Sequence, residues 1–184
     1  MQQQGQYIPP EEWAELGLAA LDSFEGRRMG ADRLFFTGGE PTCSLPWVEA
    51  VAEYAGTQVN FDTNGFMTLH SLERIISFSD SVTFDIKAFS DSAHRLLTGA
   101  CVNPVLRNAS YVVEHALEKV YEFRVVVIPG FVNEAVQIAA FLAELSEDVP
   151  VCFLAFRPNF VLDKARGITM SELEYVVKAA KQYG

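Results

Sequence analysis

Cysteine, histidine, positive charge and long apolar runs are all scarce in this chain of 184 residues, and each shortage removes a class of protein. The three cysteines, Cys43, Cys101 and Cys152, are odd in number and widely spaced. That excludes a disulfide framework and points to a reducing, cytoplasmic setting. It also excludes a compact cysteine motif for metal, which brings thiolates within a few residues of one another. No apolar stretch approaches the length of a membrane span, and the polar start Met1-Gln2-Gln3-Gln4-Gly5 does not read as a secretory leader. Lys and Arg number 14 against 24 Asp and Glu, a formal net charge of -10, so nucleic acid and anionic membranes meet a repulsive field. His70, His94 and His115 fall in predicted helical or connecting stretches, with no pair at zinc-ligand spacing. No Ser-His or Cys-His pairing of nucleophile with base stands out.

What is present is core material. Hydrophobic residues make up 49% and charged residues 21%, proportions of one globular domain spanning 1–184. Apolar runs alternate with amphipathic stretches, without a linker or low-complexity tract. A first helix opens after Pro9-Pro10 with Glu11-Glu12, an acidic start that suits its positive end. Trp13, Leu16, Ala20 and Phe24 recur at helical spacing and predict its buried face. Strands are predicted over 33–37, 58–62, 81–86, 123–128 and 151–156. Further helices are predicted from Pro46 into Tyr54, near 72–78, over 106–119 and 133–145, and from Thr169, whose hydroxyl caps the last. Five strands alternating with six helices define an α/β fold with parallel pairing. An open flavodoxin-like sheet and an incomplete βα barrel both fit this count.

The first strand runs into Thr37-Gly38-Gly39-Glu40-Pro41-Thr42. Two residues without side chains let backbone approach a ligand closely, and proline then stops the strand. Bare carbonyls and Glu40 suit a cationic amino group; the bland reading is an ordinary strand-to-helix loop. Asp62, Thr63 and Asn64 follow the second strand, as an Asx-type turn or a binding loop. Asp85 and Lys87 end the third, Arg124 lies in the fourth, and Arg157 with Asn159 ends the fifth. Residues two apart on a strand share a face, so Asp85 and Lys87 together hold a zwitterion or a ribose, or form a structural ion pair at a rim. In parallel α/β folds ligands bind at the carboxyl ends of strands. Polar groups at so many of these ends suggest one ring of loops, which favours a partial barrel over an open sheet.

Four segments, Thr37 to Thr42, Asp62-Thr63-Asn64-Gly65, Asp85-Ile86-Lys87 and Arg124-Val125-Val126-Val127-Ile128-Pro129-Gly130, resemble in order and spacing the radical S-adenosylmethionine superfamily. Within it they are similar to the activating-enzyme branch typified by pyruvate formate-lyase activating enzyme. The resemblance implies a partial (β/α)6 TIM-like barrel that holds S-adenosylmethionine and a 4Fe-4S cluster. The cluster cleaves the sulfonium reductively, and a 5′-deoxyadenosyl radical abstracts hydrogen from substrate. By position it implies cofactor binding by Gly38, Gly39, Glu40, Asp62, Asn64, Asp85, Lys87 and Arg124. It also implies a monovalent cation at Asp62, Thr63 and Asp85, and adenine against the 125–128 strand and Phe156. Implied partners are a glycyl radical enzyme or a small-molecule substrate, and an electron donor such as flavodoxin or ferredoxin.

One departure stands out. The family holds its cluster with a Cys-x3-Cys-x2-Cys loop after the first barrel strand, and no such triplet occurs here. The chain therefore reads as a fragment that lacks the first strand, with iron-sulfur ligands expected upstream of Met1 and an open edge on its first strand. Alone it is expected to be inert. Two other readings fit the residues: a non-catalytic barrel that binds S-adenosylmethionine or a partner, and an aldolase-like barrel with Lys87 as Schiff-base nucleophile. Asp85 on the same face argues against the latter, because it keeps Lys87 charged.

Overall fold

A computed structural model describes residues 7–158 and 164–183. Helix α1 (Pro10–Asp22) begins on Pro10 with Glu11 and Glu12 in its first turn. It stops at Ser23, whose hydroxyl accepts from the Gly26 amide at 3.0 Å and so starts α2 (Phe24–Met29). Then come β1 (Arg33–Phe36), a short 3-10 turn (Pro41–Ser44), α3 (Leu45–Ala55) and β2 (Gln58–Thr63). Next are α4 (Leu69–Phe78), β3 (Ser81–Ile86), α5 (Asp91–Thr98), α6 (Asn103–Ala116) and β4 (Val120–Val127). The order closes with α7 (Val132–Leu145), β5 (Val151–Ala155) and α8 (Met170–Ala180), the last opened by a capping box of Thr169 and Glu172.

The five strands are all parallel and lie in chain order, β1-β2-β3-β4-β5. A doubly wound sheet reverses direction at a switch point; this one does not, so the topology is that of a partial barrel. Crossovers of one hand that always step the same way keep their helices on one face. Strand residues on that face are apolar and buried, among them Phe36, Phe61, Phe84, Phe123 and Val125, against Val51, Val112 and Ile138 of the helices.

The opposite face is polar. Its floor is a closed hydrogen-bonded ladder: Arg33 Nη1 donates to Ser81 Oγ (3.0 Å), Ser81 Oγ to Asn60 Oδ1 (2.7 Å), and Asn60 Nδ2 to Thr83 Oγ1 (3.1 Å). Above it stand Asp62, Asp85 and Arg124, with Asp85 in register with Arg124. Among the described residues β1 pairs only with β2, so one edge of the sheet is open there.

Three sequence expectations need correcting. Helices α2 and α5 were not predicted; each is short and set by its serine cap, Ser23 and Ser90, rather than by an apolar stripe. The face that α1 buries is Trp13, Ala14, Gly17 and Leu21, while Leu16 and Phe24 are exposed. Gly17 decides this, because a Cβ there would stand 2.8 Å from Leu34 Cδ2, and without one the helix settles on β1. Val125 and Val127 are fully buried under the helices and cannot wall a ligand. Arg157 is described, whereas Asn159, Phe160, Leu162 and Asp163 lie outside the described residues. Among the described residues no helix is long and apolar enough to cross a membrane.

Candidate functional site at the strand carboxyl ends

The turn after β1 is built on glycine. Gly38 has φ 127°, a region that side chains strongly disfavour, and the space beside Gly38 and Gly39 is open. Glu40 follows and is already engaged. Its Oε1 accepts from the Thr42 amide (3.2 Å), the Thr63 hydroxyl (2.9 Å) and the Thr42 hydroxyl. Its Oε2 accepts from the Asn64 amide (2.8 Å). The carboxylate thus clamps the glycine turn to the end of β2, and Oε2 retains acceptor capacity for one more donor.

Beyond β2 the chain makes an Asx turn, with Asn64 Oδ1 accepting from the Phe66 amide at 2.9 Å. Gly65 sits at φ 74°, and a Cβ there would run into the Phe84 ring. Asn108 of α6, fully buried, donates to the Gly65 carbonyl (2.8 Å) and the Met67 carbonyl (3.0 Å), which holds the turn from behind.

At the end of β3, Lys87 Nζ meets Asp85 Oδ2 at 2.5 Å. Asp85 Oδ1 is buried and, among the described residues, is the side-chain polar atom left with no hydrogen-bond partner. A buried unpaired carboxylate oxygen is costly and marks the place where a ligand donor belongs. The loop after Lys87 is fixed by Glu134 of α7, which accepts from the Phe89 amide (2.8 Å), the Ser90 amide (2.7 Å) and the Ser90 hydroxyl (2.7 Å). Burial raises the Glu134 pKa, but these three donors outweigh it and hold the group below its ordinary value.

From β4, Arg124 reaches over β3. Its Nη1 donates to Asp62 Oδ2 (3.2 Å) and its Nε to Glu122 Oε1 (2.6 Å), and the guanidinium carbon lies 5.9 Å from the centre of the Phe35 ring. Thr37 adds a second donor to Asp62 Oδ2 at 2.8 Å. Burial disfavours the charge on Arg124, and Glu122, Asp62 and Asp85 together more than restore it.

Two compartments meet at Lys87. The smaller, about 200 Å³, is lined by Thr37, Gly38, Gly39, Glu40, Asp62, Thr63, Asn64, Asp85 and Lys87. The larger, about 440 Å³, is walled by Leu97, Ile128, Pro129 and Phe156, with Thr98, Ala165 and Arg166. One end is polar and acidic, suited to amino and hydroxyl donors; the other suits a flat ring. A still larger cavity of about 670 Å³ lies between α7, α8 and the lower half of β5. It is lined mainly by apolar side chains, and no unpaired buried carboxylate points into it, so the strand-end pair is the better site.

Gly38, Gly39, Glu40, Asp62, Thr63, Asn64, Asp85 and Lys87 all line the polar compartment, while Ile128 and Phe156 line the apolar one and Arg157 is exposed outside both. Arg124 stands beneath the polar compartment, on the Asp62 carboxylate. Sequence reasoning missed Thr37, Glu122, Asn108, Glu134 and Arg166. Glu122 was findable, since it lies two residues before Arg124 on one strand face. Asn108 and Glu134 carry no local signal, because what they serve lies more than 40 residues away in the chain.

The sequence profile of the radical SAM superfamily matches residues 4–143, and the chain belongs to that superfamily. Among solved structures it is similar to a domain of pyruvate-formate lyase-activating enzyme from Bacteroides vulgatus, with TM-score 0.70 at 19% identity over 82% of this chain and 94% of the other. It is also similar to SuiB of Streptococcus suis, with TM-score 0.65 at 16% identity in both of two crystal structures. In the one bound to the precursor peptide SuiA the match covers 100% of this chain and 41% of SuiB; in the one bound to S-adenosylmethionine it covers 99% and 42%. At such identities the likeness concerns the fold, which is the partial barrel of this superfamily. No curated protein matches the chain.

The donor sets differ in what they fit. Cys43 is exposed on the 3-10 turn, Cys101 follows α5 and Cys152 lies in β5. Among the described residues no three His, Cys, Asp or Glu side chains gather as a metal site. These cysteines therefore do not fit a cluster that needs several neighbouring thiolates. A hard cation takes about six oxygen ligands. Here the Thr63 hydroxyl is turned to Glu40 and Asp62 Oδ2 already carries a guanidinium, which leaves Asp85 Oδ1 as the unpaired buried oxygen of this donor set, short of what an alkali ion takes.

Proposed function

We propose that this chain is the S-adenosylmethionine-binding barrel of an activating-enzyme-type radical enzyme. The observation that carries the reading is the junction of the polar and apolar compartments at Lys87, with Asp85 Oδ1 unpaired and buried beside it. The residues fit the cofactor. Glycine-turn carbonyls and the remaining capacity of Glu40 take the amino group, and Lys87 takes the carboxylate. Asp85 Oδ1 takes a ribose hydroxyl, and Ile128, Pro129 and Phe156 take adenine. Asn64 contributes through its place in the wall, its amide and Oδ1 being used by the turn. Bound there, S-adenosylmethionine would supply hydrogen-atom abstraction chemistry. The protein's part is to orient the ligand and exclude water. Cluster ligation falls to residues other than Cys43, Cys101 and Cys152.

The substrate class in this reading is a protein or peptide, a glycyl radical enzyme among the candidates. The activating-enzyme domain among its structural relatives and the peptide held by SuiB support that class. Flavodoxin or ferredoxin would serve as reductant in the cytoplasm, and residues 1–184 act as one domain. Calorimetric titration with S-adenosylmethionine tests the reading: saturable binding in the wild type, lost in Asp85→Asn, is expected. Absence of heat with folded wild-type protein would sink it. Lys87 is not read as a Schiff-base nucleophile, because its amino group is engaged by the Asp85 carboxylate at 2.5 Å.

A further inference from the structure

The resemblance to the activating enzyme implies a monovalent cation at Asp62, Thr63 and Asp85, yet Asp62 Oδ2 and Thr63 are already engaged, and Asp85 Oδ1 is the unpaired buried oxygen of the three. Asp62 Oδ2 accepts from Arg124 Nη1 at 3.2 Å and from Thr37 Oγ1 at 2.8 Å. Thr63 Oγ1 donates to Glu40 at 2.9 Å and accepts from the Gly65 amide at 3.1 Å. Arg124 is fixed in three ways at once: by Glu122 at 2.6 Å, by Asp62, and by the Phe35 ring face at 5.9 Å. The planar fork of a guanidinium allows this, and a lysine ammonium could not bond both carboxylates while lying over a ring. Arg124 is also in register with Asp85, so its positive charge lies beside both carboxylates beneath the ligand compartment.

We propose that Arg124 stands in for the cation: its guanidinium is the permanent counter-ion of Asp62 under the ligand site, and binding there requires no alkali metal. The proposal rests on the S-adenosylmethionine reading above, and it makes Arg124 a positioning residue. Its charge sets how Asp62 and Asp85 face the ligand.

The test combines two measurements. Calorimetric titration of S-adenosylmethionine is run on the wild type in potassium, sodium and tetramethylammonium buffers, and on Arg124→Ala in the same buffers with and without millimolar guanidinium. Thallium-205 NMR on both proteins without ligand reads alkali-type cation binding directly. Expected are equal wild-type affinity in all three buffers and a loss of about tenfold in Arg124→Ala in tetramethylammonium, as for one lost charge-assisted bond. Potassium or guanidinium restores that loss, and a saturable thallium signal appears in Arg124→Ala alone. A merely structural arginine would give neither the rescue nor the new cation site. Wild-type affinity that needs potassium or sodium overturns the proposal, as does a saturable thallium site in the wild type or an unchanged Arg124→Ala. If the wild type binds no S-adenosylmethionine in any buffer, the functional reading falls, and the thallium result alone decides the fate of Arg124. Should Arg124→Ala fail to fold, Arg124→Gln, neutral and of similar reach, replaces it, with the same buffer dependence expected.

Discussion

Arg124 Nη1 and Asp62 Oδ2 meet at 3.2 Å although a whole strand, β3, lies between the strands that carry them. Neighbouring strands stand ~4.8 Å apart, so in a flat sheet these two backbones would be separated by about 9.6 Å. The arginine closes that gap by lying across β3, and so ties the end of β2 to β4 over the strand between them.

Asp85 offers the sharpest single substitution. Asp85→Asn keeps the shape, removes the pairing of Lys87 and offers an amide where Oδ1 stood. Affinity for S-adenosylmethionine is expected to fall by about tenfold or more, the effect of one charge-assisted hydrogen bond. Thermal stability should change little, because relief of the costly unpaired oxygen offsets the lost pairing of Lys87. Calorimetry and a melting curve on the same sample check both.

Gly65 and Gly38 should separate cleanly. At Gly65 an added methyl meets the Phe84 ring as well as the strain of φ 74°, so Gly65→Ala should cost about 2–4 kcal/mol in urea unfolding. At Gly38 the space is open, so Gly38→Ala should cost only about 1–2 kcal/mol of backbone strain. Its larger effect should be weakened ligand binding, since the methyl stands where the ligand approaches.

Asn108→Ala removes the amide that holds two loop carbonyls and is fully buried. Leaving those acceptors unpaired should cost about 1–3 kcal/mol. Hydrogen exchange over 64–67 should quicken, because α6 no longer grips that turn.

Glu134 predicts a pH limb. Its folded pKa lies below the ordinary carboxylate value, so its stabilisation is fully present above the unfolded value and is lost as pH falls through the lowered folded value. The stability gap between wild type and Glu134→Gln should therefore be constant near neutrality and shrink only in acid. A gap that instead grew on acidification would contradict the assignment. Glu172, half-buried and held to about 2 by Arg166 with Thr169, should also titrate in acid and is observable by carboxyl NMR.

Much of the fold was legible because the signals are local. A short apolar run in Leu34 to Phe36 and period-two alternation in Val59 to Phe61, with polar residues after each, locate strands and their polar ends without knowledge of neighbours. The missed helices α2 and α5 span only 6 and 8 residues and are opened by serine caps, and α1 was rotated because the lack of a side chain at Gly17 outweighed the spacing of its larger apolar residues. Thr37 to Glu40 of the glycine string line the polar compartment, yet no spacing says that Glu40 spends its carboxylate on Thr63 and Asn64.

From residues alone followed the alternating elements, the polar strand ends and the superfamily, since each depends on neighbours a few positions apart. Tertiary structure alone decided which of those polar groups remain free for a ligand. Hydrogen-bond capacity is finite, and only the folded chain shows that Arg124 consumes part of Asp62 while Asp85 Oδ1 is left without a partner.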